Sequence, residues 1–441
     1  IREAISPKGG RNSPENPVPK SASTIMSAPP IYSAIFAPSV SQSSIVIPVS
    51  KIQLYIYFAS SVRGSPPQST TIIFAPSSKS FRATTKPSAS GINADTGAAA
   101  KGAVRADFTV AFDAQKPGHL LLPGKEFCGK TVEVDIGIPH EVLDEIPQTC
   151  FCASEEMVFS SIRKRPRISH KGTFGKLLCI TGSASFPGAA AISATGALRM
   201  GAGIVKIACT ERVQSLIAPI VPEATFLPLP ANAEGGISAD AAELLLPAAE
   251  EASAVLIGCG LGQSEDTCAL VKSVLEHAKC SLVLDADALN CISAEPELLL
   301  SAAKMPVITP HMGEMARLCG KSHAEIAETR LETAAEFSKK YNCVLVLKDS
   351  STVIACPNGD IFFSPVGNPG LAKGGSGDLL AGMIASLAAQ GFIETACAVC
   401  GVYLHGLAAD KAADSLSEYG MLPTDIPAIP LALASSEIIE I

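Results

Sequence analysis

The chain has 441 residues, enough for two domains of ordinary size, and is 47% hydrophobic and only 17% charged. A formal net charge of −8 argues against nucleic acid as a main partner, and no apolar run reaches the ~18 residues of a membrane-spanning helix. The 14 cysteines lie mostly inside apolar runs, which is typical of reduced, buried thiols in a cytoplasmic protein.

Residues 1–89 differ in composition from the rest of the chain. No Asp or Glu occurs between Asn16 and Ala94, and the recurring prolines would interrupt any long helix or central strand. The chain also begins with Ile1 rather than Met. A transit peptide and a disordered tail are two interpretations. We favour a third, an out-of-frame or antisense translation, and therefore predict an unstructured or mistranslated segment over residues 1–89.

Interpretable elements begin near Ser90, with strands predicted over residues 106–112 and 132–139. Residues 90–139 resemble the C-terminal end of an NAD(P)H-hydrate epimerase domain, so we predict that residues 90–150 are a remnant of one. The Asp-Ile-Pro-Ser-Gly motif of that family would stand at residues 87–91. This chain has Pro-Ser-Ala-Ser-Gly there, without the acid, and the upstream Asn-Asn-Gly-Gly-Asp-Gly motif is also absent. We expect no epimerase activity.

From about residue 160 onward, short apolar runs alternate with amphipathic patterns. The amphipathic patterns predict helices, of which residues 188–200, 267–278 and 323–341 are examples. Continuous apolar strands between such helices indicate a mostly parallel sheet covered on both faces. The predicted strands are residues 176–181, 203–209, 254–258, 282–285, 307–309 and 344–348. Ligands of such sheets bind beyond the carboxyl ends of the strands.

Polar or glycine-rich motifs follow several of these predicted strands. They are a Gly/Ser loop at residues 181–190, Gly-Cys-Gly-Leu-Gly at 258–262, Asp285 with Asp287, Thr-Pro-His-Met-Gly-Glu at 309–314, and Lys-Asp-Ser-Ser-Thr at 348–352. Taken singly, each motif has an ordinary structural explanation, such as a strand–helix turn or a structural histidine. A lysine at a strand end beside hydroxyl residues can also hold the phosphates or ribose of a nucleotide.

The glycine-rich stretch from Gly367 to Asp378 is the most informative segment of the chain. It opens a helix predicted over residues 379–390, so backbone N–H groups and the helix dipole can converge on an anion such as phosphate. A carboxylate beside bound phosphate would be repelled unless it has a task. General-base catalysis in phosphoryl transfer is such a task, and Asp378 is therefore the predicted base.

This stretch resembles the anion-hole motif of ribokinase-like kinases, and most closely the NAD(P)H-hydrate dehydratase branch of that superfamily. The resemblance covers about residues 163–429 and includes the strand-end motifs in the family's order. Cys259 stands where the family has proline, and Asp349 stands where glycine is common. The resemblance implies an α/β fold, a three-layer α/β/α sandwich with a mostly parallel central sheet, over residues 160–435.

Site residues follow from the resemblance, position by position. Asp378 is expected to be catalytic, and no residue is expected to bind a metal directly, although Asp285 and Asp287 can help to position a hydrated magnesium ion. The residues expected to bind the substrate are Ala189, Gly262, His311 and Asp378. The residues expected to bind the nucleotide are Lys348, Asp349, Ser350, Ser351, Thr352, Gly375, Ser376 and Gly377.

The resemblance implies a hydro-lyase that repairs the S-epimer of hydrated NADH or NADPH through a phosphorylated intermediate. It would use Mg²⁺ and take ADP or ATP as phosphoryl donor, with ADP favoured by analogy with bacterial fusion proteins. A cytoplasmic homo-oligomer, by family analogy a tetramer, is expected. A hydroxymethylpyrimidine or hydroxyethylthiazole kinase would keep the same glycine loop, and a non-catalytic nucleotide sensor would need the anion site but not Asp378. Both alternatives stay open.

Overall fold

The computed structural model describes residues 91–139, 141–142, 145, 148–162 and 164–426, with three short strands before them. Most of residues 1–89, and residues 427–435 of the predicted second domain, lie outside the described residues. The three strands are β1 (Val46–Val49), β2 (Ile52–Tyr55) and β3 (Ile72–Phe74). Strands β1 and β2 pair with each other in antiparallel orientation.

A small sheet precedes the larger domain. Strand β4 (Phe108–Phe112) pairs in parallel with β5 (Lys130–Val134), and helices α1 (Pro117–Leu120) and α2 (Gly124–Cys128) connect them. Strand β3 pairs with the other edge of β4. The strand predicted over residues 132–139 is thus wrong at both ends, because β5 starts earlier and ends at Val134. Beyond it, Gly137 takes a positive φ of 82° and donates its N–H to Asp135 Oδ1 at 2.7 Å, which turns the chain.

A ten-stranded sheet forms the centre of the larger domain. Its strands are β6 (Cys150–Cys152), β7 (Lys176–Ile180), β8 (Ile204–Thr210), β9 (Thr225–Leu229), β10 (Ala254–Ile257), β11 (Ser281–Leu284), β12 (Val307–Ile308), β13 (Val344–Leu347), β14 (Val353–Ala355) and β15 (Ile361–Phe363). Their order is β6-β15-β14-β13-β12-β11-β10-β7-β8-β9. Only the two pairings of β14 are antiparallel. The predicted mostly parallel sheet is confirmed.

Helices cover both faces of this sheet, as the buried, apolar central strands require. They are α3 (Glu155–Ser161), α4 (Pro187–Arg199), α5 (Glu211–Ile217), α6 (Ala242–Glu250), α7 (Glu265–His277), α8 (Asp287–Cys291), α9 (Met312–Cys319), α10 (His323–Glu328), α11 (Arg330–Tyr341), α12 (Ser376–Ala389) and α13 (Glu394–Gly420). One core, with Leu177 and Cys179, lies between the sheet and α4, α12 and α13. The other, with Leu178 and Ile180, lies under α6, α7, α9 and α11. The predicted three-layer sandwich is confirmed.

The single helix predicted over residues 323–341 is wrong, since it is two helices. Thr329 leaves the helical conformation with φ −114° and ψ 33°. Its hydroxyl shares a 2.9 Å hydrogen bond with the hydroxyl of Thr333. The amphipathic pattern continues across this break, so periodicity alone did not reveal it. None of the described helices is both long enough and apolar enough to cross a membrane.

Helices α4 and α12 pack so closely that glycine is required at their contact. A Cβ at Gly382 of α12 would lie 2.0 Å from Ser193 O of α4, and one at Gly196 of α4 would lie 2.8 Å from Leu379 O of α12. This contact fixes α12 against the sheet. The N-terminus of α12, which carries the glycine-rich loop and Asp378, is thereby held at the carboxyl ends of the central strands.

Candidate active site

Four neighbouring strands deliver polar groups to one edge of the sheet. Cys259 follows β10, Asp285 follows β11, Thr309 follows β12 and Lys348 follows β13. Because these strands are parallel, their carboxyl ends lie side by side. A single site therefore gathers residues that are separated by up to ninety positions in the sequence.

Asp378 lies in the first turn of α12, facing these strand ends. One oxygen of its carboxylate, one of Asp285 and the Sγ of Cys259 lie within 4.8 Å of one another. Burial raises the pKa of Asp378 to about 6, and the negative charge of Asp285 adds to this shift. A hydrogen bond from Cys259 and the positive charge of Lys348 act in the opposite direction. A carboxylate with a pKa near 6 is still ionised at neutral pH and is a stronger base than an ordinary one.

The loop before Asp378 has the conformation that an anion site needs. Gly375 takes a positive φ of 96° immediately before the first turn of α12, and a Cβ there would lie 2.8 Å from Ile192 Cδ1. Ser376 N donates to Lys373 O at a long 3.3 Å. Among the described residues, the N–H groups of Gly375 and Gly377 donate to no backbone carbonyl. These groups can bind an anion.

Lys348 and Asp285 form an ion pair at the bottom of the site. Lys348 Nζ donates to Asp285 Oδ1 at 2.5 Å, and Thr309 Oγ1 donates to the same oxygen at 2.7 Å. Burial lowers the pKa of Lys348, but the charges of Asp285 and Glu314 outweigh it, so its pKa is above the ordinary value. A Cβ at Gly377 would lie 3.3 Å from Lys348 Nζ. The cation therefore adjoins the anion loop.

The other predicted nucleotide-binding residues form the turn between β13 and β14. Asp349 Oδ2 forms an ion pair with Nη2 of the buried Arg330 at 2.8 Å. The Oδ1 of Asp349 accepts from Ser350 N at 2.8 Å, and Thr352 Oγ1 donates to Asp349 O at 3.3 Å. Ser351 is buried and donates its hydroxyl to Leu120 O at 2.7 Å. Hydrogen bonds within the turn, and one from Ser351 to Leu120 of the preceding domain, thus fix its conformation. The hydroxyl proton of Ser351 is therefore not available to a ligand.

Two predicted substrate residues, Ala189 and Gly262, lie in adjoining loops. Ala189 stands in the first turn of α4, and a Cβ at Gly260 would approach its Cβ to 2.7 Å. Gly262 has a positive φ of 82° and donates its N–H to Asp287 Oδ2 at 2.8 Å. Asp287 therefore holds the glycine loop in place, a role that the sequence did not suggest.

His311 is the N-cap of helix α9. Its Nδ1 accepts from Gly313 N at 3.0 Å and from Glu314 N at 3.3 Å, while Glu314 Oε2 accepts from His311 N at 2.8 Å. Since Nδ1 accepts, Nε2 carries the proton in the neutral ring, and it lies 3.3 Å from Glu314 Oε1. Burial, together with the charge of Lys348, lowers the pKa of His311. The side chain is still 54% exposed and can contact a ligand while it caps the helix.

Buried polar atoms without partners indicate where this site is incomplete. Among the described residues, Ser376 Oγ and Thr181 Oγ1 have no hydrogen-bond partner although both residues are buried. Ser376 belongs to the anion loop, and Thr181 follows β7 next to Cys259. Buried hydroxyls are normally paired, so these two indicate a polar ligand. Thr181, Thr309 and Cys259 were not predicted as site residues, although their positions after strands indicate the site.

Comparisons with known proteins identify the family of this chain. Residues 177–430 match the family model described as NAD(P)H-hydrate dehydratase. The chain is 38% identical over 337 residues to a bifunctional NAD(P)H-hydrate repair enzyme of Moorella thermoacetica, covering 76% of this chain and 64% of that protein. It is 38% identical to the ADP-dependent (S)-NAD(P)H-hydrate dehydratase of Bacillus subtilis, covering 62% of this chain and 94% of that one. The chain thus spans just under two thirds of the length of the bifunctional relative.

Solved structures are similar as well. One is the ADP/ATP-dependent NAD(P)H-hydrate dehydratase of Bacillus subtilis co-crystallised with ATP and Mg²⁺. It is 33% identical, with a TM-score of 0.54, and the match covers 64% of this chain and 97% of that one. Another is a ribokinase-like superfamily protein of Enterococcus faecalis, 28% identical with a TM-score of 0.57, covering 66% and 97%. The ribokinase-like fold is therefore established.

Proposed function

The chain belongs to the NAD(P)H-hydrate dehydratase family, and from this premise we propose that it restores NADH or NADPH from the S-epimer of the hydrate at the expense of ADP or ATP. The observation that carries the proposal is Asp378. Its carboxylate has a pKa raised to about 6, directly follows the anion loop and is close enough to the Lys348 cation to feel its charge. This is the arrangement that a base needs when it activates a hydroxyl next to a phosphoryl group.

The reaction proceeds in two steps. Asp378 takes the proton of the hydroxyl at C6 of the hydrated nicotinamide ring, and the oxygen attacks the terminal phosphorus of the nucleotide. The bond from phosphorus to the bridging oxygen breaks, and AMP or ADP leaves. The lone pair of the ring nitrogen then expels the new phosphate from C6, and loss of a ring proton restores the dihydropyridine. The water removed from the ring leaves as part of inorganic phosphate.

The residues of the anion loop stabilise the charge that develops in the first step. The N–H groups of Gly375 and Gly377, with the hydroxyl of Ser376, lie at the positive end of the α12 dipole. Lys348 supplies a full positive charge next to them. Ala189, Gly262 and His311 are proposed to contact the hydrated nucleotide, and the turn at residues 349–352 is proposed to contact the adenine nucleotide.

Magnesium fits this site as an ion that is held mainly through the nucleotide. The Oδ1 atom of Asp285 is occupied by Lys348 and Thr309, and both oxygens of Asp287 accept hydrogen bonds. Asp287 and the Oδ1 atom of Asp285 are therefore suited to bind waters of a hydrated magnesium ion rather than the ion itself. Bound Mg²⁺ would neutralise phosphate charge. A cytoplasmic location and a homotetramer stay predictions.

The test uses the purified chain with hydrated NADH, Mg²⁺ and either ADP or ATP. We expect the near-ultraviolet absorbance of the dihydronicotinamide ring to rise with one or both nucleotides. Asp378→Asn should lower the rate by several powers of ten, at about 1.4 kcal/mol per power. The exposed Asp414, on α13, offers a matched control, and Asp414→Asn should keep the rate. Nucleotide binding without any rise would instead support the sensor, and phosphorylation of a hydroxymethylpyrimidine or hydroxyethylthiazole would support the vitamin kinase.

We propose further that residues 90–150 have no epimerase activity, because the motif acids are missing from the sequence. The test is to supply the pure R-epimer of the hydrate. Its conversion by the purified chain, without added epimerase, would contradict this proposal.

A further inference from the structure

The thiol of Cys259 lies inside the carboxylate cluster of the active site. Cys259 is fully buried, and its single thiol proton is within reach of both carboxylates, Asp285 Oδ2 at 3.7 Å and Asp378. Sγ, one oxygen of Asp285 and one oxygen of Asp378 are all within 4.8 Å of one another. The family motif that this loop resembles has proline at this position, so the resemblance implies that the thiol is a property of this chain rather than a requirement of the fold.

We propose that Cys259, Asp285 and Asp378 form a binding site for a thiophilic divalent cation, such as Zn²⁺ or Cd²⁺, at the catalytic carboxylate. The thiol sulfur and the Asp285 oxygen have nearly the spacing that two ligands of a single ion require, and Asp378 places an oxygen within 4.8 Å of both. Zinc binds thiolate sulfur at ~2.3 Å and carboxylate oxygen at ~2.0 Å in tetrahedral geometry, which places the two donors about 3.5 Å apart. The observed separation of Sγ and Oδ2 is 3.7 Å.

The donor atoms are available to an ion. Lys348 and Thr309 both bind the Oδ1 atom of Asp285, so its Oδ2 atom meets only the thiol among the contacts of the described residues. Lys348 also offsets part of the negative charge that the three ligands bring together. Because Lys348 and Thr309 bind Oδ1, the Oδ2 atom of Asp285 can bind an ion.

An independent observation supports a ligand at this place. Thr181 Oγ1 is buried and has no hydrogen-bond partner among the described residues. Thr181 follows β7, the strand next to β10, and Gly182 N donates to Cys259 O at 2.8 Å. Thr181 continues the alternation of Leu177 and Cys179, whose side chains belong to the same core as Cys259. An unpaired hydroxyl therefore lies on the face of the sheet that carries the thiol.

The chemistry of the donors selects the class of ion. A thiolate is a soft ligand that favours Zn²⁺ and Cd²⁺, whereas Mg²⁺ prefers oxygen donors and retains its waters. Binding forms a metal–sulfur bond, and the proton of the thiol leaves to solvent. The site is accordingly distinct in specificity from the magnesium that accompanies the nucleotide.

Occupancy would block catalysis, because the lone pair that Asp378 offers to the substrate hydroxyl would be bound to the ion. This consequence rests on the proposed function, whereas the binding does not. The two are separated by measuring binding without substrate or nucleotide, through the ultraviolet charge-transfer band between Cd²⁺ and a thiolate.

The full chain with Cys291→Ser is the reference protein for this experiment. Cys291 and Cys268 are hydrogen-bonded to each other and partly exposed, so this pair could bind Cd²⁺ by itself. In the reference protein we expect the cadmium–thiolate band to saturate. Adding Cys259→Ala should weaken the binding that produces this band by more than about a hundredfold. Cys259→Pro, with the residue of the family, should do the same and guards against a folding defect of the alanine variant.

The rate of dehydration in the reference protein should fall with the same dissociation constant, and both Cys259 variants should resist the ion. An absorbance band that persists without Cys259, or that never forms in the reference protein, overturns the proposal. If the band forms and depends on Cys259 but the chain dehydrates no hydrate with either nucleotide, the metal site stands and the proposed function falls.

Discussion

Lys348 Nζ and Asp285 Oδ1 lie 2.5 Å apart, joining the carboxyl ends of two strands, β13 and β11, that have β12 between them. Asp285 is 2% exposed, so its charge is compensated almost entirely by this lysine and by the hydroxyl of Thr309. The pair therefore has a structural task, which is to give the buried carboxylate of Asp285 a counter-ion inside the site. It also has the electrostatic task of placing a cation beside the anion loop.

Lys348→Met should destabilise the fold by about 3–5 kcal/mol, because it leaves the buried Asp285 carboxylate without its counter-ion. Adding Asp285→Asn removes the uncompensated charge, so the double variant should be more stable than Lys348→Met alone. Chemical denaturation followed by circular dichroism measures both. Adenine nucleotide should bind weakly to either variant, since the cation is missing in both. A double variant no more stable than the single one would show that charge compensation is not what the pair supplies.

The rate of dehydration should depend on pH through Asp378. The base acts when it is ionised, so kcat should be level above about pH 7 and should fall as pH drops through about 6, the raised pKa of Asp378. Burial is the main cause of this raised pKa and the charge of Asp285 the next, so Asp285→Asn should move the acidic limb of the profile to lower pH. If the acidic limb does not move in Asp285→Asn, a group other than Asp378 produces it.

The raised pKa of Asp378 also makes the free energy of unfolding depend on pH, in the direction opposite to the rate. Asp378 has a pKa of about 6 in the folded protein and 3.8 as a free side chain, so the folded state binds more protons between these values. The contribution of Asp378 to stability is therefore favourable at low pH and is lost as pH rises through this window. The difference in unfolding free energy between the wild type and Asp378→Asn isolates the contribution of Asp378. We expect Asp378→Asn to gain stability relative to the wild type on going from pH 4 to pH 7.

Much of the fold could be predicted because its signals are local. The buried strands of the parallel sheet are continuous apolar runs, and β7, β8, β10 and β13 fall within a residue or two of their predicted bounds. Strands β6, β9, β14 and β15 were not predicted. Strand β9 contains Pro228, which is unfavourable in a central strand, and each of the other three has only three residues. A three-residue apolar segment carries no periodicity, and its place in a sheet is decided by its neighbours.

The candidate site could be predicted only in its composition. The motifs identified Asp378, Lys348 and His311, because each stands in a sequence string with a recognisable pattern. The contacts between them could not be predicted. That Lys348 pairs with Asp285, or that Ser351 donates its hydroxyl to Leu120 O, follows from how distant segments meet after folding. No local pattern encodes such distances.

His311 has a capping role that can be separated from its proposed contact with substrate. His311→Ala should destabilise the protein by about 1 kcal/mol, because the N–H groups of Gly313 and Glu314 lose their acceptor. His311→Asn should retain most of that stability, since asparagine is a favoured N-cap. Both variants should raise KM for the hydrated nucleotide if the imidazole contacts it. Thermal unfolding measures the loss of stability, and steady-state kinetics measures KM. A normal KM in His311→Asn would show that His311 caps the helix but does not contact the substrate.

Gly382 connects the packing of the helices to the chemistry of the loop. On helix propensity alone, Gly382→Ala should stabilise α12 by about 1 kcal/mol. We expect destabilisation instead, by about 1–3 kcal/mol or more, because the new Cβ would lie 2.0 Å from Ser193 O, a backbone atom that cannot move aside. Gly188→Ala, in the first turn of α4, is the matched control, since a Cβ there meets no described residue within 4 Å. Its unfolding temperature should not decrease.

The effect of Gly382→Ala should also reach Asp378, four residues earlier in the same helix. If α12 shifts away from α4, the anion loop and the carboxylate move relative to Lys348 and Asp285, which belong to the sheet. We therefore expect kcat to fall at temperatures where Gly382→Ala is still fully folded, with a smaller change in the binding of nucleotide to Lys348. A variant that loses stability but keeps its kcat would show that the close contact between the helices supports the fold without positioning the base.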